Sequence, residues 1–283
     1  MNIHTDRRTL LGSAALMGLG ALSGCSAPTG EEDADAAKPI YDGVLGVQLY
    51  TVRDLFEADP RATLEALAGI GFKDCETAGL FDHEAADIRA MMDDLGLMSR
   101  SAHVRLPQLR DDFSTAIEEA KVLGQDRLYL GWIPEEERTL DKYRALAELL
   151  NQRGEEAKAA DMMVGYHNHE FEFIDEAGTN GYDILLAETD PELVTMEIDF
   201  FWAAEAGIEP ASLFEKAPGR FTSCHIKDRT SSGEMVSVGD GTIDFASHFA
   251  LAEKAGLERF YVEHDNPNDP LASVGRSYAH LTK

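Results

Sequence analysis

The sequence is poor in cysteine and in positive charge. Only 3 of its 283 residues are Cys, which excludes the class of small domains held together by a disulfide framework. Lys and Arg number 25 against 52 Asp and Glu, so the formal net charge is -27. A charge of this sign weighs against nucleic acid and against an anionic membrane surface as partners.

Two further features are missing. The apolar run from Leu10 to Leu22 is too short to span a bilayer comfortably. No glycine-rich loop follows the first strand candidate, Val44 to Leu49, which removes the usual signature of a dinucleotide-binding open sheet. The chain therefore predicts neither a membrane-spanning protein nor a nucleotide-binding sheet.

The N-terminus carries two short targeting patterns. Arg7 and Arg8 precede the apolar run and resemble a twin-arginine export signal, and "LSGC" at Leu22 to Cys25 resembles the lipobox of bacterial lipoproteins. We therefore expect an export signal over residues 1–24, a lipid on Cys25, and a polar tether over residues 25–42. The protein would then be a periplasmic or cell-envelope lipoprotein that touches the membrane only through this anchor. A buried N-terminal helix is the alternative.

From Val44 onward, short apolar runs alternate with amphipathic stretches. Eight runs are strand candidates: Val44 to Leu49, Phe72 to Thr77, Leu97 to Val104, Arg127 to Trp132, Met162 to His169, Leu193 to Phe200, Phe221 to Asp228 and Arg259 to Asp265. Helical patterns between them include Pro60 to Gly71, Glu84 to Gly96, Phe113 to Gly124 and Asp244 to Gly256. Eight such units without a linker predict one α/β domain, a (β/α)8 TIM barrel over residues 43–283. A doubly wound open sheet is the alternative.

The two remaining cysteines and the ends of the strands carry further information. Cys75 and Cys224 lie inside apolar runs, and we predict that they are reduced core residues.

Catalytic groups of such barrels sit at the C-terminal ends of strands. The polar or aromatic residues there are Gln48, Glu76, His103, Trp132, His167, His169, Glu197, Asp199, His225, Lys227, Glu263 and Asp265. Carboxylates and imidazoles from neighbouring strands form a mixed site suited to one divalent metal ion, with Mn²⁺ preferred and Co²⁺, Mg²⁺ or Zn²⁺ as alternatives.

The order of several motifs adds a family resemblance. "EIDFFWAAEAGIEP" from Glu197, "GRFTSCHIKD" from Gly219, "VGDGTIDF" from Val238 and "YVEHD" from Tyr261 together resemble the xylose isomerase-like TIM-barrel superfamily, also called the sugar phosphate isomerase/epimerase group. With "GVQLYTVRD" from Gly46, the likeness spans nearly the whole chain after the tether. The resemblance implies metal ligands at Asp199, His225 and Glu263. It places His167 where the family usually has a fourth ligand, a glutamate, and His169 or Glu170 are the alternatives if the register differs.

The histidine at position 167 bears on the reaction. Family epimerases are expected to use two facing glutamates, and the "YHNH" segment instead resembles the inosose dehydratase branch and exported relatives that act on 3-keto-glycosides. The resemblance therefore implies an enzyme that removes a proton α to a carbonyl of a sugar, with β-elimination from a 3-keto-glycoside or related keto-sugar as the first choice. A sugar isomerase or epimerase, and a non-catalytic carbohydrate-binding surface lipoprotein, are the alternatives.

Roles for the other rim residues follow from that chemistry. His169 or Glu263 could act as the base, and Lys227 could stabilise the oxyanion or protonate a leaving group. We expect Glu76, His103 and Trp202 to contact the small-molecule carbohydrate, with ordinary core packing as the alternative for Trp202 and its neighbour Phe200. Glu172 is predicted to be an exposed loop acid between two packing aromatics. The oligomeric state is left open.

Overall fold

The computed structural model describes residues 38–283. The predicted export signal, the lipidation site Cys25 and residues 25–37 of the predicted tether lie outside the described residues. In residues 38–283, no helix combines the length and the apolar character needed to cross a bilayer. The backbone N–H of Tyr41 donates to the carbonyl of Leu281 at 2.8 Å, and its ring packs on Phe260 at 4.4 Å between centroids.

Eight parallel strands form the centre of the molecule. Together with a small hairpin, residues 38–283 contain ten strands: β1 Leu45–Gln48, β2 Asp74–Glu76, β3 Ser101–Val104, β4 Arg127–Leu130, β5 Met163–His167, β6 Val194–Asp199, β7 Phe221–Ile226, β8 Asp228–Arg229, β9 Met235–Val236 and β10 Arg259–Val262. All but the small hairpin β8–β9 form one sheet in the order β2-β1-β10-β7-β6-β5-β4-β3. Bridges from Asp74 to Met98 and from Thr77 to Ala102 join the two edges. The predicted TIM barrel is confirmed, and each predicted strand contains one observed strand with trimmed ends.

Helices surround the sheet. They are α1 Arg53–Ala58, α2 Pro60–Ile70, α3 Ala85–Leu95, α4 Leu106–Asp111, α5 Phe113–Leu123, α6 Leu140–Lys158, α7 Gly181–Glu188, α8 Phe200–Glu205, α9 Pro210–Lys216, α10 Phe245–Phe249, α11 Ala252–Ala255 and α12 Pro270–Thr282, with 3-10 turns at Leu49–Val52, Glu135–Glu137 and Phe171–Phe173. α2 shows why these segments are helical. Asp59 caps the N–H of Ala62 at 3.0 Å, Pro60 occupies the first turn, and Gly71 ends the helix at φ +128°.

One predicted helix is wrong as a single element. The stretch from Asp244 to Gly256 contains two short helices, α10 and α11. The backbone N–H of Leu251 donates to the carbonyl of His248, three residues back, at 3.1 Å. This tighter bond replaces the i to i−4 bond that a continuous helix needs.

The lower half of the barrel interior is filled by two tyrosines. Tyr129 and Tyr261 are fully buried, and a Cβ added at Gly165 or Gly46 would collide with their rings. Because glycine has no side chain, β1 and β5 make room for a ring inside the barrel. Cys75 and Cys224 are buried and unpaired, as predicted.

Candidate metal centre and active site

Three of the predicted metal ligands meet at the C-terminal end of the barrel. One side-chain atom each from Asp199, His225 and Glu263 lies within 4.8 Å of the others, and all three side chains are at most 5 % exposed. His225 Nδ1 is 2.6 Å from Glu263 Oε2. His167 Nε2 faces the same place, 3.6 Å from Asp199 Oδ2. The four side chains therefore offer two imidazole nitrogens and two carboxylates.

This donor set fits a divalent ion. Asp199 is completely buried; its Oδ1 accepts the N–H of Trp202 at 3.0 Å, and its Oδ2 faces the ammonium of Lys227 at 3.0 Å. Burial raises the pKa of this carboxyl to about 6, against the opposing pull of Lys227 and His225. Burial also lowers the pKa of His167 to about 3, so its imidazole is neutral at pH 7. Buried carboxylate oxygens and a neutral imidazole are groups that a Mn²⁺, Co²⁺ or Zn²⁺ ion binds well.

A layer of carboxylates lies directly beneath the four ligands. Glu76 Oε2 is 2.5 Å from His225 Nε2, and Glu197 Oε2 is 3.1 Å from His167 Nδ1. Each ligand histidine therefore has its second nitrogen on a carboxylate, which fixes the orientation of the ring. His103 Nε2 lies 2.6 Å from the same Glu197 oxygen.

The second layer also gathers metal-type side chains. One atom each from His103, His167, Glu197 and His225 lies within 4.8 Å of the others. Glu76, for which we predicted contact with sugar hydroxyls, has no exposed surface, and its oxygens face Gln48, Ser101 and His225. His103 keeps some exposed surface and lines the cavity above this layer.

Lys227 projects into the ligand cluster. Its Nζ is 3.0 Å from Asp199 Oδ2, 2.7 Å from Glu263 Oε2 and 2.8 Å from Asp265 Oδ1. Burial opposes the positive charge, but these three carboxylates outweigh burial and raise the pKa of Lys227 well above its usual value. The ammonium is therefore charged at neutral pH and pairs with the carboxylates of Asp199, Glu263 and Asp265.

His169 follows β5 and has a different environment. Its Nδ1 is buried without a hydrogen-bond partner among residues 38–283. Burial, reinforced by His167 and Lys227, lowers its pKa well below the usual value. A neutral imidazole with a free nitrogen can accept a proton.

Glu172 holds the loop that carries His169, and the prediction of an exposed acid was wrong. Its side chain has no exposed surface. Oε1 accepts from the hydroxyl of Tyr166 at 2.6 Å, and Oε2 accepts the backbone N–H of His169 at 2.8 Å. Burial raises the pKa of Glu172 to about 7. The two hydrogen bonds tie the loop to strand β5, and they explain why this acid faces inward.

A cavity of about 920 Å³ opens above these groups. It is lined by most of the predicted site side chains: His103, Trp132, His167, His169, Trp202, Lys227, Glu263 and Asp265. Glu170 also lines it, although it belongs to neither group of close ligand atoms. Phe200 is fully buried and stacks on His248 at 4.8 Å, so it belongs to the core, whereas Trp202 borders the cavity.

Two residues of the cavity wall were missed by the sequence analysis. Arg138 donates twice to the carbonyl of Ile133, at 3.2 and 3.0 Å, and its guanidinium lies 3.5 Å from the centre of the Phe171 ring. The two residues are far apart in sequence and follow no shared period, so only the structure brings them together.

The comparisons with known proteins agree with this architecture. The chain is 24% identical over 263 residues to an inosose dehydratase of Geobacillus kaustophilus, covering 78% of this chain and 84% of that one. It is also 24% identical over 159 residues to an inosose dehydratase of Lacticaseibacillus casei, covering 50% and 52%. The chain thus spans about half the length of several curated relatives that it matches.

Solved structures add the same fold. A sugar phosphate isomerase/epimerase of Parabacteroides distasonis is 26% identical with a TM-score of 0.75, covering 88% of this chain and 97% of that one. The IolI protein, solved with a bound zinc atom, is 16% identical with a TM-score of 0.67, covering 84% and 95%. A 3-keto-D-glucoside 4-epimerase of E. coli is 16% identical with a TM-score of 0.66, covering 85% and 99%. At 16% identity, the last two show the fold alone.

The family is decided by the sequence itself. Residues 43–283 match the family described as Xylose isomerase-like TIM barrel, and this range covers every strand, helix and rim residue discussed above apart from the preceding tether. The sequence prediction of that superfamily is confirmed. The chain belongs to the xylose isomerase-like TIM barrel family.

Proposed function

We propose that this protein is a divalent-metal-dependent enzyme that removes a proton α to a carbonyl of a keto-sugar and expels the substituent on the β carbon, with a 3-keto-glycoside as the favoured substrate. The observation that supports elimination is a pair of proton-transfer groups of different charge, one a neutral imidazole and the other a charged ammonium. The neutral ring of His169 and the charged Lys227 both line the cavity and lie next to Trp202, at 5.3 Å between rings and 5.8 Å from Nζ to the ring.

A neutral base together with a charged acid suits elimination better than epimerisation. The His169 imidazole, which lines the cavity, takes the proton from C2, next to the ketone at C3. The electron pair forms a C1–C2 double bond while the C1–O bond to the aglycone breaks, and Lys227 gives its proton to the departing oxygen. The products are an unsaturated keto-sugar and the free alcohol, so atoms and charge balance. An epimerase would need the second group to return a proton to carbon.

The ligands have a separate task. Asp199, His225, Glu263 and His167 would hold the ion, and Glu76 and Glu197 would orient the two imidazoles. A bound divalent ion supplies positive charge that stabilises a developing oxyanion. We propose Mn²⁺ first, with Co²⁺, Mg²⁺ and Zn²⁺ as alternatives.

The deciding experiment is proton NMR of the Mn²⁺-loaded full chain with a 3-keto-glucoside in D₂O. Release of the aglycone with loss of the C2 proton supports the lyase. Exchange of the C2 proton for deuterium, or inversion without release, replaces it with an isomerase or epimerase. Binding of the sugar without exchange or release leaves a carbohydrate-binding lipoprotein as the function.

We also propose that the chain is exported and lipid-anchored through Cys25. The supporting observations are the paired arginines and the "LSGC" pattern. Metabolic labelling with a fatty acid should mark the parent chain and spare Cys25→Ala, while Cys75→Ala stays labelled. Equal labelling of all three, or of none, would contradict this anchor.

A further inference from the structure

The cavity is larger than the reacting sugar needs. Its volume of about 920 Å³ lies near the top of the range of about 300–1,000 Å³ that encloses drug-sized ligands. The metal ligands occupy only its inner end. The outer end is formed by the segments that follow β3 and β4, including Pro107, Trp132 and Pro134, together with Phe171.

Flat side chains connect the two ends of the cavity in one row. Trp202 contacts His169 at 5.3 Å between centroids, and His169 stacks on Phe171 at 5.2 Å and 12°. The guanidinium of Arg138 lies 3.5 Å from the Phe171 ring and 5.6 Å from the Trp132 ring. All five line the cavity, so a wall of rings and a guanidinium, several of them stacked on one another, runs from the proton-transfer groups to the mouth.

The mouth also carries exposed aromatic surface. Among residues 38–283, the exposed large aromatic side chains are Trp132 at 51% and Tyr50 at 40%, and both line this cavity. Exposed aromatic area collected at one opening marks a binding surface. The guanidinium of Arg138, fixed by its two bonds to Ile133, extends the stacking surface between Phe171 and Trp132.

The polar lining at the mouth does not suit a second sugar. Among residues 104–138, the lining side chains include no Ser, Thr, Asn or Gln. The polar side chains of this stretch are charged ones, Arg105, Arg110, Glu136, Glu137 and Arg138, and Glu137 is paired with Arg110 through two bonds of 3.1 and 2.7 Å. A planar apolar ring matches this surface better than a ring covered with hydroxyl groups.

We propose that the outer half of the cavity is a subsite for an aryl aglycone, which stacks on Trp132 and Arg138 while the keto-sugar occupies the metal end. This proposal rests on the proposed function for the identity of the sugar, but the subsite itself is defined by the wall. Trp132 is thus the residue that sets preference for the leaving group.

The test compares phenyl and methyl 3-keto-β-glucosides with the Mn²⁺-loaded full chain. In the parent, kcat/KM should favour the phenyl substrate, and Trp132→Ala should lower the phenyl-to-methyl ratio about tenfold, the effect of one lost aromatic stack. Trp132→Phe should restore most of the ratio. Val122→Ala, an exposed apolar side chain on α5 outside the cavity, should leave the ratio at the parent value. An unchanged ratio in Trp132→Ala overturns the subsite.

A binding measurement separates this proposal from the proposed function. Phenyl β-glucoside has no ketone, so calorimetry with it needs no turnover. Binding to the parent that weakens about tenfold in Trp132→Ala supports the subsite even if neither keto-glucoside reacts. Equal binding of phenyl and methyl β-glucosides to the parent, or equal binding of phenyl β-glucoside to both chains, overturns the subsite even if elimination is observed.

Discussion

Buried polar groups lie both in the lower half of the barrel, around Asp74, and at its upper end, around Asp199. We call these groups the lower and the upper layer, and their hydrogen bonding differs. In the lower layer, Asp74 pairs with Arg100 at 2.6 Å and accepts from the hydroxyl of Tyr261 at 2.9 Å, and the hydroxyls of Tyr129 and Thr222 meet at 3.0 Å. In the upper layer, His169 Nδ1 has no hydrogen-bond partner among residues 38–283, and Asp199 Oδ2 has the ammonium of Lys227 at 3.0 Å.

The difference separates polar groups that hold the barrel from those that act on a ligand. A buried polar atom without a partner costs about 1–3 kcal/mol, so it persists where something else compensates for it. Residue type alone does not distinguish the layers, because both contain buried aspartate. Buried atoms without a partner also occur outside the site, for example at Tyr143 Oη, Tyr182 Oη and Arg259 Nε, so the following predictions use substitutions in both layers to test the distinction.

The largest effect is expected for Asp199→Ala. Loss of a ligand oxygen should abolish tight metal binding and lower kcat/KM by roughly 1,000-fold, which corresponds to about 4 kcal/mol. Metal content after dialysis and turnover measure the two losses. The matched lower-layer variant is Asp74→Ala, which should cost about 3 kcal/mol of stability by leaving Arg100 without its carboxylate and should retain metal. If Asp199→Ala binds metal as tightly as the parent, the metal site is elsewhere.

Glu172→Gln should change how stability depends on pH. Burial raises the pKa of Glu172 to about 7, so the native state holds a proton that the unfolded chain releases near 4.5. The free energy of unfolding therefore falls as the pH rises from 4.5 to 7, by about 3 kcal/mol for this group. Urea titrations at pH 4.5, 6 and 7.5 should show a smaller fall in Glu172→Gln. Glu170→Gln is the control, and an identical fall in both variants and the parent would contradict the raised pKa.

Lys227→Met should retain metal and lose rate. The ammonium supplies a proton in the proposed elimination, and removing such a group lowers kcat by about 100-fold. Metal content and kcat with a phenyl and with a more acidic nitrophenyl leaving group would measure this. The loss should be smaller for the nitrophenyl substrate, because that leaving group needs less protonation. Equal losses for both would assign Lys227 to the oxyanion instead.

The smallest effect is expected for Glu76→Gln. Its carboxylate orients His225 from beneath without touching the cavity, and the loss of such a contact lowers metal affinity by about tenfold. Competition with a fluorescent chelator measures this change. Glu65→Gln, an exposed partner of Arg61, is the surface control. Unchanged affinity in Glu76→Gln would remove Glu76 from the support of the metal site.

The sequence could predict the barrel and most of the rim because both follow simple periods. Eight apolar runs predict eight strands, and the alternation along β6, β7 and β10 places Asp199, His225 and Glu263 on the inside near the strand ends. The alternation of side chains along a strand does not say how far down the barrel axis each inward residue lies. Glu76 ends β2, yet the stagger between strands places it below the ligands, where it contacts His225. Glu197 comes two residues before Asp199 on β6 and contacts His167 from beneath.

Two further features escaped the sequence for other physical reasons. "FEF" around Glu172 alternates polar and apolar residues as an exposed loop would, and the partner that draws the acid inward, Tyr166, stands on the preceding strand. The stretch from Asp244 to Gly256 has helical periodicity throughout, but its chain departs from the helix at Leu251. In both cases a local contact that leaves no pattern decided the conformation.

The rings of Tyr261 and Tyr129, which pack against Gly46 and Gly165, lie beneath the cavity. Tyr261 and Tyr129 are fully buried and packed against these glycines, so we expect what enters beside Trp132 to leave beside it. For the proposed reaction this imposes an order on the products. The aglycone, nearest the mouth, departs before the unsaturated sugar beneath it can escape, and we therefore expect the aglycone to rebind to the enzyme–sugar complex while the sugar competes directly with fresh substrate.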